Sequence, residues 1–541
     1  MLGVIATEAK EHVIREFFEL FKTPWEFYEK GRRYDVIVCT GSSPKVADVE
    51  AKVVIVYGSS ETERDRANHI KIDSQCKGAD LSYRGRRLPI YGNTATFRQT
   101  PTFLTEAASR GAAAYLNRSG DRVFVRVGYD LFKEIETLFR FGQPVENAGV
   151  PTLDLHISVL RDLVVCSGVP LVEIPPVPSG YSFIACLTHD LDHASIRRHL
   201  FDPTIFGFFY RATLGTAFNA VRGRITAGNL LINWAAATKL PFMYLGVARD
   251  IWSDFDRYLQ LEQGRPSTFF VIPFQNCPGR SATGQAPRKR GTKYDVSHIA
   301  EKISRLASAG CEIGLHGIDA WADIAKGQAE ARRIQDFTAT ETSGVRMHWL
   351  YSDEKSPAVL EQAGFIYDST DGYNDTVGYR TGTAQVFKPL NARGLLELPM
   401  HIMDTALFYP DYLNLSPEEA WKRIGPMLDH AVDVGGVTTV NWHDRSIAPE
   451  RLWGKFYERL LDDLTRRGAW FSTASQAVAW FRKRRSATFD EVNGGTGAMR
   501  VRVSADTGGN SPALRARLHR SLQDGYIDTA FDRKTEICFQ N

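Results

Sequence analysis

Two spacings of apolar residues alternate along the chain. Short runs rich in Val, Ile, Leu and Phe, the pattern of buried strands, are followed by stretches whose apolar residues recur every three or four positions, the pattern of one-faced helices. In the last two thirds of the chain the strand-like runs fall at 182–187, 267–272, 311–315, 345–349, 365–367, 395–398, 437–441 and 470–472. Helices are expected between them. At 297–309, Ile299, Ile303 and Leu306 share a face and Gly310 supplies the stop. Ser356 and Pro357 open another as N-cap and first-turn proline, and Gly364 closes it. Ser416-Pro417-Glu418-Glu419 reads as a capping box. Leu452, Phe456, Leu460, Leu461 and Leu464 stripe a further helix that Gly468 ends. Regular alternation implies a parallel sheet, and this many repeats imply a barrel.

The first third is α/β in character but less regular. Residues 11–21 and 153–164 have helical spacing, and 34–39, 53–57 and 123–127 are strand-like. The turns Gly41-Ser42-Ser43 and Gly58-Ser59-Ser60 lack the further glycines of a nucleotide-binding fingerprint. Pro175, Pro176 and Pro178 read as a linker. The chain thus divides into an N-terminal α/β domain (1–178), a barrel (179–485) and a short β-rich C-terminal appendage or tail (486–541). An aromatic-rich segment at about 199–262 interrupts the barrel. A helical subdomain with its own packed core is expected there; the alternative is a lid or a membrane-surface insertion.

Composition narrows the class. The 541 residues exceed one compact core. Hydrophobic content of 43% and charged content of 24% describe an ordinary globular protein, and a net charge of +3 gives no reason to expect nucleic acid. No run is apolar for long enough to cross a bilayer, and the first residues lack the pattern of a signal peptide. Seven cysteines without paired spacing read as thiols of a reducing compartment, so the cytoplasm is the expected location.

The chemistry is expected where strands end. The run 182–187 leads into Thr188-His189-Asp190-Leu191-Asp192-His193. If the strand continues, alternation points Asp190 and Asp192 the same way. Two carboxylates aimed at one point repel unless a cation or a shared proton intervenes. His316, Asp368, His401, Asp404 and His443 also stand just past strand-like runs. In a parallel barrel such positions share one rim, the rim that carries catalysis.

Taken in order, these motifs resemble those of the polysaccharide deacetylases with the NodB-homology domain (carbohydrate esterase family 4-like). They are Thr188-His189-Asp190-Leu191-Asp192, Gly310-Cys311-Glu312-Ile313-Gly314-Leu315-His316, Gly344-Val345-Arg346-Met347-His348-Trp349, Gly364-Phe365-Ile366-Tyr367-Asp368 and Val440-Asn441-Trp442-His443-Asp444. The resemblance covers about residues 180–483. It implies a deformed (β/α) barrel and metal-assisted hydrolysis of an N- or O-acetyl group. Carried over by position, it implies Asp190 as general base, Asp192 and His316 as metal ligands and His443 as general acid. Arg346 would orient the base and Asp368 would tune His443. The sequence departs from the pattern at Ala320, where a second metal histidine is expected. Asp319 is read as the substitute ligand, since i and i+3 share a helix face; His348 and His189 are the alternatives. Zinc is the expected metal, with cobalt, nickel and manganese as other divalent candidates.

His401, Asp404, Arg380 and Trp349 are expected to line the substrate pocket, with Trp321 and Trp442 as further candidates for stacking on a sugar ring. The expected function is removal of acetyl groups from an acetylated carbohydrate. Its rivals are an amidase acting on a small non-sugar amide and a non-catalytic barrel that binds a glycan or a partner protein.

Overall fold

The computed structural model describes the chain except for residues 41–48, 50, 101–102, 223–224, 339–341, 496–497, 507–510, 522–524 and 541. Gly41-Ser42-Ser43 lies outside the described residues. The central sheet is built from β1 (Phe183–Leu191), β2 (Thr268–Val271), β3 (Glu312–Gly317), β4 (Gly344–Met347), β5 (Tyr367–Asp368), β6 (Leu396–Glu397), β7 (Ile402–Met403), β8 (Val437–Asn441) and β9 (Ala469–Ser472). Its order is β6-β5-β4-β3-β2-β1-β8-β7, with β9 beside β1, and every pairing is parallel. Among the described residues β6 and β7 share no ladder, so the sheet curls without closing. This is a deformed (β/α) barrel. Parallel strands need both faces covered, and every residue of β1 is buried.

The helices arise largely where the spacing places them. Ser416 and Glu419 form the expected capping box of the helix Pro417–Val434. Ser356 is the first helical residue rather than the cap, a place taken by Lys355, and Gly364 closes that helix at φ 103°. Gly344 is required for close packing, since a Cβ there would stand 1.8 Å from the Tyr367 ring. The Tyr367 hydroxyl donates to Glu312 Oε1 at 2.8 Å and cannot move aside freely. Gly344→Ala is expected to cost about 3 kcal/mol, read as a lower urea midpoint. An unchanged midpoint would contradict that packing.

The first third forms a sheet in which the strands Trp25–Phe27, Leu2–Ile5, Val36–Thr40, Val53–Tyr57 and Arg122–Val127 run parallel, with Ala114–Ser119 antiparallel at its edge. A long hairpin, Ile72–Tyr83 with Arg86–Phe97, was not legible as strands. Its turn residues Arg84 and Gly85 both have positive φ, the geometry of a two-residue hairpin loop. The C-terminal strands are paired rather than trailing. Leu514–Ser521 pairs with Leu171–Glu173, which precedes the proline-rich linker. Arg484 also donates to the carbonyls of Glu19, Leu20 and Ile174. The aromatic segment is helical, with a small core of Ile196, Ile205, Phe208, Leu240, Met243 and Trp252. Among the described residues no helix is long and apolar enough to cross a membrane.

Candidate functional site

Alternation along β1 brings Thr188, Asp190 and Asp192 to one side, inside the barrel mouth. Arg346, from β4, reaches across to them. Its Nη1 donates to Thr188 Oγ1 at 2.8 Å and to Asp190 Oδ1 at 2.9 Å. Its Nε and Nη2 donate to the carbonyl and hydroxyl of Ser369 at 3.0 and 2.9 Å. The other carboxylate oxygen, Asp190 Oδ2, accepts from Asn441 Nδ2 at 2.8 Å. Burial alone would raise the Asp190 pKa, but Arg346, His316 and His443 outweigh it and hold the carboxyl below its usual range. Arg346→Ala would leave that carboxylate buried without its cation. A loss of about 3–5 kcal/mol in urea unfolding is expected; a loss under about 1 kcal/mol would contradict the pairing.

Asp192 faces two imidazoles. Its Oδ1 lies 3.4 Å from His316 Nε2 and 3.6 Å from His348 Nε2, and one ligand atom from each residue falls within 4.8 Å of the others. Asp192 Oδ1 is buried and has no hydrogen-bond partner. His316 Nδ1 donates to the Arg346 carbonyl at 2.9 Å, which leaves Nε2 as the nitrogen turned toward Asp192. Burial drops His348 to about 3, which keeps it neutral. Burial also works against ionised Asp192, yet His348, His316 and His443 hold it well below the usual carboxylate range.

Local backbone explains why His348 reaches the cluster. After β4 the chain turns sharply, with Trp349 and Leu350 both left-handed at φ 62° and 53°. Non-glycine residues seldom adopt that geometry, and where they do it is enforced by surroundings, often at functional sites. Here Arg290 enforces it, donating through Nη2 to the His348 carbonyl at 2.8 Å and to the Ile318 carbonyl at 3.0 Å.

His443, just past β8, lies opposite. Its Nδ1 donates to Asp404 Oδ1 at 2.6 Å and its backbone N–H to Asp404 Oδ2 at 2.7 Å. Burial pulls the ring down, but Asp404 foremost, with Asp192 and Asp190, raises it to about 10. Its Nε2 is 3.9 Å from Asp192 Oδ2. The Asp192 side chain is 20% exposed and that of His443 12%, against 2% for His316, so the cluster meets solvent between the first two.

Several expected site residues stand elsewhere. Asp319 does not join the cluster: it accepts the backbone N–H of Arg280 at 2.6 Å and pairs with Lys326. Glu330 pulls that turn away by accepting the N–H groups of Ile318 and Asp319, each at 2.8 Å. His189 faces the opposite side of β1, with its nitrogens on the Trp442 carbonyl and Glu262, both at 2.8 Å. Asp368 does not tune His443. It accepts from Thr370 and lies near Glu397, and burial raises it to about 7. Asp404, expected in the substrate pocket, fills that tuning position instead. His401 is buried away from the mouth, between the Thr439 N–H and the Thr383 carbonyl, each at 3.3 Å. Arg380 sits over Tyr373 and 4.0 Å from Asp371, in a cleft lined also by Phe139 and Arg140. Trp442 is buried and stacked on Phe456, and Trp321 is buried. Trp349 stays half-buried, its ring 5.9 Å from that of His348. Asn441 was missed, although it stands two residues before His443 and so on the same side of the strand.

The rim therefore carries an Asp-His-His cluster flanked by a carboxylate held ionised and an imidazole held protonated. No family model matches the sequence, and no curated protein matches it. Similar solved structures include a Mycobacterium smegmatis protein described as a polysaccharide deacetylase, 19% identical over 57% of this chain and 95% of that one, with a TM-score of 0.35. The Puue allantoinase is 13% identical over 56% and 91%, with a TM-score of 0.35. A Pseudomonas aeruginosa PAO1 protein, also described as a polysaccharide deacetylase, is 16% identical over 60% and 98%, with a TM-score of 0.35.

Proposed function

We propose that this chain is a hydrolase that removes acetyl groups from an acetylated carbohydrate, using one divalent cation held by Asp192, His316 and His348. The observation that carries this reading is the orphaned Asp192 Oδ1, buried and facing two imidazole Nε2 atoms. Two imidazoles and a carboxylate suit zinc with a coordination position left open, and cobalt, nickel or manganese less closely. When bound, the cation would polarise a carbonyl and acidify a water. Asp190, kept ionised by Arg346, accepts the proton of the attacking water. His443, kept protonated by Asp404, donates from Nε2 to the leaving nitrogen or oxygen. Trp349 offers a face on which a sugar ring stacks, which favours a carbohydrate over a small amide. The seven cysteines are all free, which supports the cytoplasm as the location.

Acetate release tests the reading. The zinc-loaded protein is expected to free acetate from N-acetylated oligosaccharides and far less from simple acetamides. Chelation should abolish the release and zinc restore it. Release from acetamides alone would favour the amidase. Zinc binding without acetate release from either would overturn the hydrolase.

A further inference from the structure

The helical insertion presents a surface unlike the rest of the molecule. Among the described residues, fourteen of the twenty-three exposed large apolar side chains lie between Leu200 and Val247. The helix Ala227–Tyr244 shows the cause. Asn233, Ala236, Ala237, Leu240 and Met243 face the core of the insertion. Leu231, Ile232, Trp234 and Phe242 face outward, with Leu231 64% and Phe242 54% exposed. The outer side of this helix is mainly apolar, broken by the exposed Thr238 and Lys239. Such a face belongs against a protein core or in contact with lipid, and no protein covers it among the described residues.

Charge selects what could cover it. From Pro203 to Arg249 the sequence contains no Asp or Glu, and every charged residue is Arg or Lys. Arg197 and Arg198 are exposed beside Leu200 and Phe201; neither is in an ion pair among the described residues, and Arg197 donates to the Ala248 carbonyl at 2.9 Å. An apolar platform edged by unpaired cations complements a surface with negative headgroups over an apolar layer. A second copy of the chain fits poorly, because a two-fold contact through this face would set the same cations against one another.

We propose that the insertion is a docking face for an anionic phospholipid bilayer, lying in the headgroup layer with Trp234 and Phe242 sunk below it. The insertion leaves the barrel just past Asp192 and returns at Trp252. The Trp252 ring lies 5.9 Å from that of His193, and its Nε1 donates to Glu450 at 2.7 Å. Docking thus holds the barrel mouth beside the lipid surface, whatever reaction occurs there.

Co-sedimentation of the full chain with lipid vesicles tests this without reference to activity. Vesicles of phosphatidylcholine mixed with phosphatidylglycerol are expected to bind roughly tenfold more tightly than phosphatidylcholine alone, with the difference lost in high salt. Trp234→Glu with Phe242→Glu should weaken binding roughly tenfold or more, and circular dichroism should stay unchanged because both side chains are exposed. Arg197→Ser with Arg198→Ser should weaken binding to the anionic vesicles alone. Failure to sediment with anionic vesicles, or equal sedimentation of the Trp234 and Phe242 variant, would overturn the proposal. So would a dimer in sedimentation velocity that this variant dissolves while no vesicle binding is seen.

Discussion

His348→Ala is expected to lower zinc affinity on the order of 10³-fold and acetate release with it, while Asp319→Ala leaves both near wild type. The two residues separate the ligand set seen in space from the one suggested by spacing. His348 Nε2 is 3.6 Å from Asp192 Oδ1, whereas the Asp319 carboxylate is engaged by Lys326 and the Arg280 N–H. Their effects on stability should run the other way. Asp319→Ala removes two polar contacts from a buried turn and is expected to lower the unfolding free energy by about 1–3 kcal/mol. His348→Ala removes a neutral ring from the cluster and should change the metal-free protein less. Isothermal titration with zinc and urea unfolding without it read the two effects independently. Zinc affinity lost in Asp319→Ala and kept in His348→Ala would reverse the assignment.

Asp404→Asn is expected to lower kcat on the order of 10³-fold near neutral pH and to move the alkaline limb of the pH profile downward by several units. With Asp404 present, His443 is raised to about 10, so it remains a proton donor across the neutral range. Without that negative charge the largest raising influence is gone and burial, which favours the neutral ring, pulls its pKa down from about 10. The wild-type profile should therefore fall on the alkaline side only near pH 10. Its acid limb, set by Asp190, should lie below the usual carboxylate range. Stability follows the same sign. The folded pKa is raised, so the stabilisation from the His443–Asp404 pair is complete below about pH 6.5 and is lost as the pH rises through about 10. The Asn variant should lack that slope in its unfolding midpoint. A variant with the wild-type profile would show that Asp404 does not govern the ring.

Strand periodicity made the barrel legible, because buried parallel strands are short, continuous and apolar, and several were followed by a helix with its own stop. It also made Asp190, Asp192, His316, Arg346 and His443 legible as residues of one rim. What the sequence concealed lies in the turns after the strands. His348 follows Arg346 by two positions and could have been placed on its side of the strand. Reaching the cluster, however, depends on two left-handed residues and on Arg290 bonding to a carbonyl, and neither has a spacing signature. Asp319 looked suitable by helical spacing, but no helix starts until Ile324. The intervening turn is set by Glu330, a residue distant enough that no local pattern connects them. Asp368 ends one short strand and Asp404 follows another, and the sequence could not say which would face His443. The aromatic insertion was readable as helical, while its bare outer face emerges only when burial is resolved residue by residue.

The account stands on one cation bound by Asp192, His316 and His348. Anomalous diffraction from crystals soaked in zinc is the direct measurement. A single peak is expected about 2.0–2.2 Å from Asp192 Oδ1 and from the Nε2 atoms of both histidines, with Asp319 and His189 outside its reach. A peak centred on Asp319, or none among these three side chains at saturating zinc, would contradict it.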